Sequence, residues 1–252
     1  MTPEAWFAAI DPEHLIRDVQ GEPPRYYPQS QLTANRLRLF ACAAARQAWY
    51  LLSSDARSAV LASERFAQGR ATLTDLLATA IDQRNRLISA TQMALGAAQS
   101  ASVGLPLNRY AMNLHLNQPG NYLFAPHAAR LAARAVATHK VGVAPPGQPT
   151  PEWHAAWTAA FDAVRASQVE YFRDIFPPPR YKATRNPQWI TSTVLALAQQ
   201  MDESGDYSAV PILADALQDA GCEDETLLRS CRTPANNHVR GNWVVEMILE
   251  RI

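Results

Sequence analysis

The chain has 252 residues, of which 48% are hydrophobic, and its 23 Lys and Arg residues balance 23 Asp and Glu residues. This composition is typical of a globular protein with a sizeable buried core. The lack of a basic excess disfavours nucleic-acid binding, and three cysteines are too few for a disulfide framework. We expect a cytoplasmic protein, because the N-terminus lacks signal-peptide features and no long apolar run could cross a membrane.

Helix start and stop signals recur along most of the chain. Thr2-Pro3-Glu4 combines a cap, a first-turn proline and an acidic residue, and the same order returns at residues 11–13 and 150–152. Thr72 and Asp75 resemble a capping box. Together with apolar spacing, these signals predict helices that begin at residues 3 and 12 and that cover residues 31–52, 54–69, 72–100, 126–139, 151–175 and 189–201.

The predicted domain boundary is the segment 141–151, VGVAPPGQPTP. Its Pro and Gly content favours extended, exposed chain, and the helix signals restart directly after it. We therefore predict an N-terminal helical bundle over residues 1–140, a linker over 141–151 and a C-terminal helical subdomain over 152–252. Because no strand pair is recognisable, the predicted fold class is all-α, a multi-helix bundle of about nine to ten helices.

The C-terminal forty residues carry the densest set of signals. Pro211 suits a first helical turn and Gly221 the position just past a helix end. Asp224 is a candidate cap for a short helix over residues 224–231. A last helix is predicted from near Asn237, with Gly241 inside it at a cost of up to about 1 kcal/mol. On that helix Trp243 lies on the same face as apolar residues one turn away, so we predict that it is buried in the core.

Three motifs in this region resemble the C-terminal segment of an uncharacterised planctomycete protein family. They are LADALQDAGC (Leu213–Cys222), LLRSCR (Leu227–Arg232) and HVRGNWVV (His238–Val245). The first matches the family pattern LADALxxAGC, the second LLxxCR and the third HVRGxWVV. The resemblance implies no chemistry, because the family has no assigned activity. Relatives often carry a second cysteine where this chain has Asn242.

Cys222, Cys231 and His238 are candidate metal ligands, because thiolate sulfur and imidazole nitrogen bind Zn²⁺ tetrahedrally. Their spacing does not match a compact zinc knuckle, and a fourth ligand is missing. The alternative is that both cysteines pack as small hydrophobic residues at helix ends. We favour packing and therefore predict no metal and no cofactor.

His238, Arg240 and Asn237 form a candidate partner- or anion-binding site near the predicted start of the last helix, where backbone N–H groups attract negative charge. The alternative, which we favour, is internal pairing of Arg240 with Asp215 or Asp219, and capping of the loop by His238.

The sequence supports three functions in decreasing order. The first is a non-enzymatic cytoplasmic module that binds another protein, with no nucleic-acid or membrane partner and an unknown small-molecule ligand. The second is a metal-binding or redox-sensing protein that uses Cys222, Cys231 and His238. The third is an enzyme of unrecognised class with its site in the irregular segment 103–126. The enzyme ranks last because the chain has no phosphate-binding glycine loop and no serine-hydrolase elbow.

Overall fold

The computed structural model describes residues 2–20, 31–52, 54–76, 125–142, 149–182 and 184–251. Within these ranges all regular structure is helical and no strand occurs, which confirms the all-α fold class. Most of the predicted helix over 72–100, residues 103–124 of the irregular segment and residues 143–148 of the predicted linker lie outside the described residues. None of the helices in the described ranges combines the length and hydropathy that a bilayer crossing requires.

Ten α-helices are bounded in these ranges. In chain order they are α1 (Pro3–Ala8), α2 (Pro12–Gln20), α3 (Gln31–Gln47), α4 (Ser54–Ala67), α5 (Ala125–Val141), α6 (Pro151–Ile175), α7 (Ser192–Ser204), α8 (Val210–Asp219), α9 (Glu225–Cys231) and α10 (Trp243–Ile248). Short 3₁₀ turns occupy Trp49–Leu51, Pro187–Trp189 and Ala235–Asn237.

The chain divides into two compact units, one formed by Met1–Ile10 with Val169–Ile252 and the other by Asp11–Gln168. The predicted bundle over 1–140 and subdomain over 152–252 do not coincide with these units. The reason is visible at Gln168 of α6, whose Nε2 donates to Oε1 of Gln47 at 2.9 Å and to the carbonyl of Ala129 at 2.8 Å. These bonds tie α6, as far as Gln168, to α3 and α5.

In the unit Asp11–Gln168, helix α3 packs against α4 and α5. The core there is built largely of small side chains, which let helix axes approach closely. One buried charge is compensated: Glu64 accepts a two-pronged contact from Arg46, at 2.5 and 2.8 Å. The buried cluster contains Cys42, Ala45, Ala48, Leu52, Ala56, Val60 and Ala132.

In the other unit, α8 packs against α7 and α9, and α10 packs against α7. All six residues of α10 are buried, so this helix is covered on every side, and five of the six are apolar. Its one acidic residue, Glu246, lies 3.7 Å from the guanidinium of Arg251. The prediction that Trp243 is buried is confirmed, since its exposed fraction is 0%.

The cap signals form the hydrogen bonds that their spacing predicts. Thr2 Oγ1 accepts from the backbone N–H three residues on, at 3.2 Å. Asp224 Oδ1 accepts from the second and third N–H groups after it, at 3.0 and 3.1 Å. Thr72 and Asp75 exchange bonds in both directions, which is the capping-box geometry. Local sequence therefore determines where these helices begin.

The predicted start of the last helix is wrong. The chain forms a 3₁₀ turn at Ala235–Asn237, and α10 begins only at Trp243. Gly241 has a φ of +93°, a left-handed conformation that an α-helix cannot contain. Asn242 then caps α10: its Oδ1 accepts from the backbone N–H groups of Val244 and Val245, the second and third helical positions, at 3.1 and 3.0 Å. Similarly, Trp189 lies in a 3₁₀ turn before α7 and does not begin that helix.

Gly205, which ends α7, is expected to tolerate substitution less well than Gly221. Both have positive φ, +73° and +84°, so alanine strains the backbone by about 1–2 kcal/mol at either position. A Cβ at Gly205 would also overlap Nη2 of Arg240, whereas one at Gly221 meets nothing within 4 Å. Moving Arg240 away would break its hydrogen bond to the carbonyl of Asp202.

We therefore expect Gly205→Ala to lower the free energy of unfolding by about 2–4 kcal/mol and Gly221→Ala by about 1–2 kcal/mol. Urea unfolding followed by circular dichroism measures both changes. Equal losses for the two variants would show that Arg240 moves aside without cost.

Candidate functional site

A buried carboxylate near the end of α6 joins the chain segments around the C-terminal junction. Asp174 Oδ1 accepts from His238 Nδ1 at 2.6 Å and from Asn242 Nδ2 at 2.5 Å. Its Oδ2 accepts from the backbone N–H of Val239 at 2.8 Å. The side chain is 3% exposed, and the bonds from His238 and Asn242 are buried. Asp174 thus holds the loop that leads into α10.

His238 faces acceptors on both sides of its ring. Nδ1 contacts Asp174, and Nε2 lies 3.2 Å from the carbonyl oxygens of both Cys231 and Thr233. Because a carbonyl can only accept, Nε2 carries a proton, and the carboxylate favours a proton on Nδ1 as well. Burial lowers the pKa of His238, but the hydrogen bond and charge of Asp174, with the two carbonyls, outweigh it, and the pKa is raised. The surroundings of the ring therefore favour its protonated, imidazolium form.

The structure does not bring the predicted anion-site residues together. The side chain of His238 is 0% exposed and is directed at Asp174. Arg240 donates to the carbonyl of Asp202, 3.2 Å away, at the end of α7. Arg240 therefore contacts Asp202 of α7, and the predicted pairing with Asp215 or Asp219 of α8 is wrong, because packing brings a carboxylate of a different helix to the guanidinium. Asn237 is half-buried in the 3₁₀ turn.

The candidate metal ligands Cys222, Cys231 and His238 contribute to the core and to the hydrogen bonds of the junction. Cys222 and Cys231 are both buried members of the C-terminal core. The contact between His238 and Cys231 is made to the carbonyl oxygen. Burial raises the pKa of both thiols, which disfavours the thiolate that a metal requires. Within the described ranges, no group of three or more His, Cys, Asp or Glu side chains is arranged to hold a metal ion.

A cleft of about 170 Å³ opens beside Asp174, and we call it the α1–α9 cleft. Arg173 forms one wall: its Nη2 lies 2.8 Å from each of three backbone carbonyl oxygens of the α1 region, those of Trp6, Phe7 and Ala9, and donates to them. On the rim, the guanidinium of Arg229 lies over the Phe7 ring, 4.5 Å from its centroid. The lining residues are Trp6, Phe7, Glu170, Arg173, Asp174, Pro178, Arg229, Ser230 and Thr233.

Sequence reasoning missed this cleft. Phe7 and Arg229 belong to separate helices at opposite ends of the chain. Phe7 lies in none of the motifs, and Arg229 occupies a variable position of the LLxxCR pattern. What distinguishes Phe7 is that it remains 36% exposed beside the buried Trp6. The exposed fraction of a side chain cannot be read from the sequence. The cleft depends on tertiary packing alone.

Together these features define an all-α protein with a buried, hydrogen-bonded junction and an adjoining small cleft. Its sequence and structure match no protein-family model, no curated protein and no solved structure. The resemblance of residues 213–245 to a planctomycete family stays a prediction.

Proposed function

We propose that this chain is a non-enzymatic cytoplasmic module that binds another protein through the α1–α9 cleft. The single observation that supports this most is the Phe7–Arg229 pair on the rim. Phe7 is 36% exposed and Arg229 is exposed. Phe and Arg are both enriched in the cores of protein interfaces, and Arg is among the residues that contribute most binding energy there. The proposal moves the partner site from His238, Arg240 and Asn237 to this cleft.

The size of the cleft favours a protein partner over a small molecule. Its volume of about 170 Å³ is below the roughly 300–1,000 Å³ of sites that enclose drug-sized ligands. A cavity of this size accommodates a single side chain projecting from a partner surface. The wall is preorganised by the Asp174–His238 network behind it and by Arg173, which reduces the entropy lost on binding.

The cysteines of the chain and the histidine beside the cleft give little support to catalysis. The three thiols of Cys42, Cys222 and Cys231 are buried, and burial raises the pKa of each, so none is an activated nucleophile. His238, which lies beside the cleft wall, contacts hydrogen-bond acceptors at both ring nitrogens. It therefore has no free nitrogen with which to accept a proton from a substrate.

Site-specific photo-crosslinking tests the proposal. A photoreactive amino acid at Phe7 should give one discrete adduct in host cells, and the same amino acid at Ile212 should not. Ile212 is the control because it is 59% exposed in the same compact unit but does not line the cleft.

The captured partner must then bind the unmodified chain in purified form. Ser230→Tyr, which places a ring in the cleft, should weaken that binding about tenfold or more. If Phe7 gives no specific adduct, or if Ser230→Tyr binds as well as the original chain while remaining folded, the cleft is not the partner site.

A further inference from the structure

We propose that the α1–α9 cleft recognises an acidic side chain, Asp or Glu, on the partner, with Arg229 as its counter-charge. This inference rests on the proposed protein-binding function and adds the chemistry of the residue that enters the cleft.

The charges around the cleft are paired except for one. Arg173 Nη1 lies 2.6 Å from Glu170 Oε1, and Asp174 is paired with the imidazolium of His238. Among the described residues, no carboxylate lies within ion-pair distance of Arg229. The cleft therefore offers one uncompensated positive charge, which an incoming carboxylate would neutralise.

Arg229 is also held in position before a partner arrives. Its guanidinium lies over the face of the Phe7 ring, 4.5 Å from the centroid, where the electron-rich ring attracts the cation. This contact holds the guanidinium against the ring. Its N–H groups can still make the two-pronged contact that carboxylates prefer. A preorganised arginine loses less side-chain entropy on binding than a free one.

The lining favours an acidic side chain over the carboxylate at a chain end. Capture of a chain terminus uses a nest of free backbone N–H groups. Here Glu170, Arg173 and Asp174 lie inside α6, and Arg229 and Ser230 inside α9, where backbone N–H groups are used by the helices. These five positions therefore offer side-chain donors, and the charged donor on the rim is Arg229.

A phosphate-rich ligand such as a nucleic acid fits the site less well. Binding of a polyanion requires several arginines or lysines on one surface. The cleft instead places Glu170 and Asp174 beside its arginines, and the whole chain carries no net charge. A single carboxylate matches a single free cation.

Matched peptide pools test this inference on the full chain. Random dodecapeptides with amidated C-termini are immobilised in three sets that carry Asp/Glu, Asn/Gln or Lys/Arg at the same positions. We expect the acidic pool to retain the chain about fivefold or more better than the Asn/Gln pool, and added salt to reduce the difference. Arg229→Gln should abolish the preference, and Arg229→Glu should transfer it to the basic pool.

Arg232→Gln is the matched control. Arg232 is exposed, follows α9 directly, and donates to the side-chain oxygen of Gln218, outside the cleft. It should leave the acidic preference unchanged. A preference that survives Arg229→Gln, or that is lost equally in Arg232→Gln, overturns the inference. Retention that appears only when the peptides have free C-termini also overturns it, in favour of chain-end capture.

Failure of this inference is distinguishable from failure of the proposed function. A specific Phe7 adduct together with equal retention of the acidic and Asn/Gln pools removes the acidic preference and leaves the protein-binding function standing. The absence of both the adduct and the preference removes both.

Discussion

Trp243→Ala is expected to lower the free energy of unfolding by about 3–5 kcal/mol, the range for removal of a large aromatic side chain from a core. Trp243 is 0% exposed, and its ring meets Tyr181 edge-on with 5.3 Å between centroids. Its indole Nε1 is buried without a hydrogen-bond acceptor in the described part of the chain. Its stabilising effect is therefore packing, and the variant leaves a cavity in the core around α10.

Chemical denaturation monitored by far-ultraviolet circular dichroism measures this change. Trp243→Phe, which keeps most of the apolar volume, should lose clearly less stability than the alanine variant. Ile212→Ala is a control at a position that is 59% exposed, and it should change stability by no more than about 0.5 kcal/mol. An unchanged unfolding midpoint for Trp243→Ala would show that this residue is not part of the core.

Asp174→Asn is expected to cost about 3–5 kcal/mol, because it leaves the His238 imidazolium buried without its counter-ion. The substitution keeps the size of the side chain but replaces one acceptor oxygen by an NH₂ group. Three donors, from His238, Asn242 and the backbone of Val239, then compete for a single oxygen. The loss should appear as a lower unfolding midpoint in urea at pH 6.

The pH dependence of stability gives an independent test of the same pair. Because the pKa of His238 is raised in the folded state, its contribution is fully present below the unfolded value of about 6.5. That contribution is lost as the pH rises through the folded-state pKa, since the folded state then binds more protons than the unfolded chain. Stability should therefore decline with rising pH above about 6.5 in the original chain, and this decline should be lost in Asp174→Asn.

Asp215→Asn is the control for both measurements. Asp215 is exposed on α8, so its replacement should change stability by no more than about 0.5 kcal/mol and leave the pH profile as it was. If Asp174→Asn behaves like Asp215→Asn, the buried pair contributes nothing, and the junction is held by apolar packing alone.

The amino-acid sequence by itself determined the elements and several of their ends. Thr2, Asp224 and the Thr72–Asp75 pair act on backbone groups within one helical turn, so their effect is legible in a few consecutive residues. The burial of Trp243 followed from its apolar neighbours in the same way. The start of α10 was mispredicted because apolar spacing runs through Gly241, whereas the backbone there is left-handed.

Only the tertiary structure decided which distant residues meet. Each contact at the junction and the cleft joins residues that are far apart in the sequence. The contacts are Asp174 with His238 and Asn242, Arg240 with Asp202, and Phe7 with Arg229. No local rule selects among these partners, because a buried carboxylate is satisfied by any suitable donors that the packing brings to it. The sequence therefore indicated most of the helices and the burial of Trp243. The contact between Asp174 and His238 and the α1–α9 cleft arise from how those helices pack.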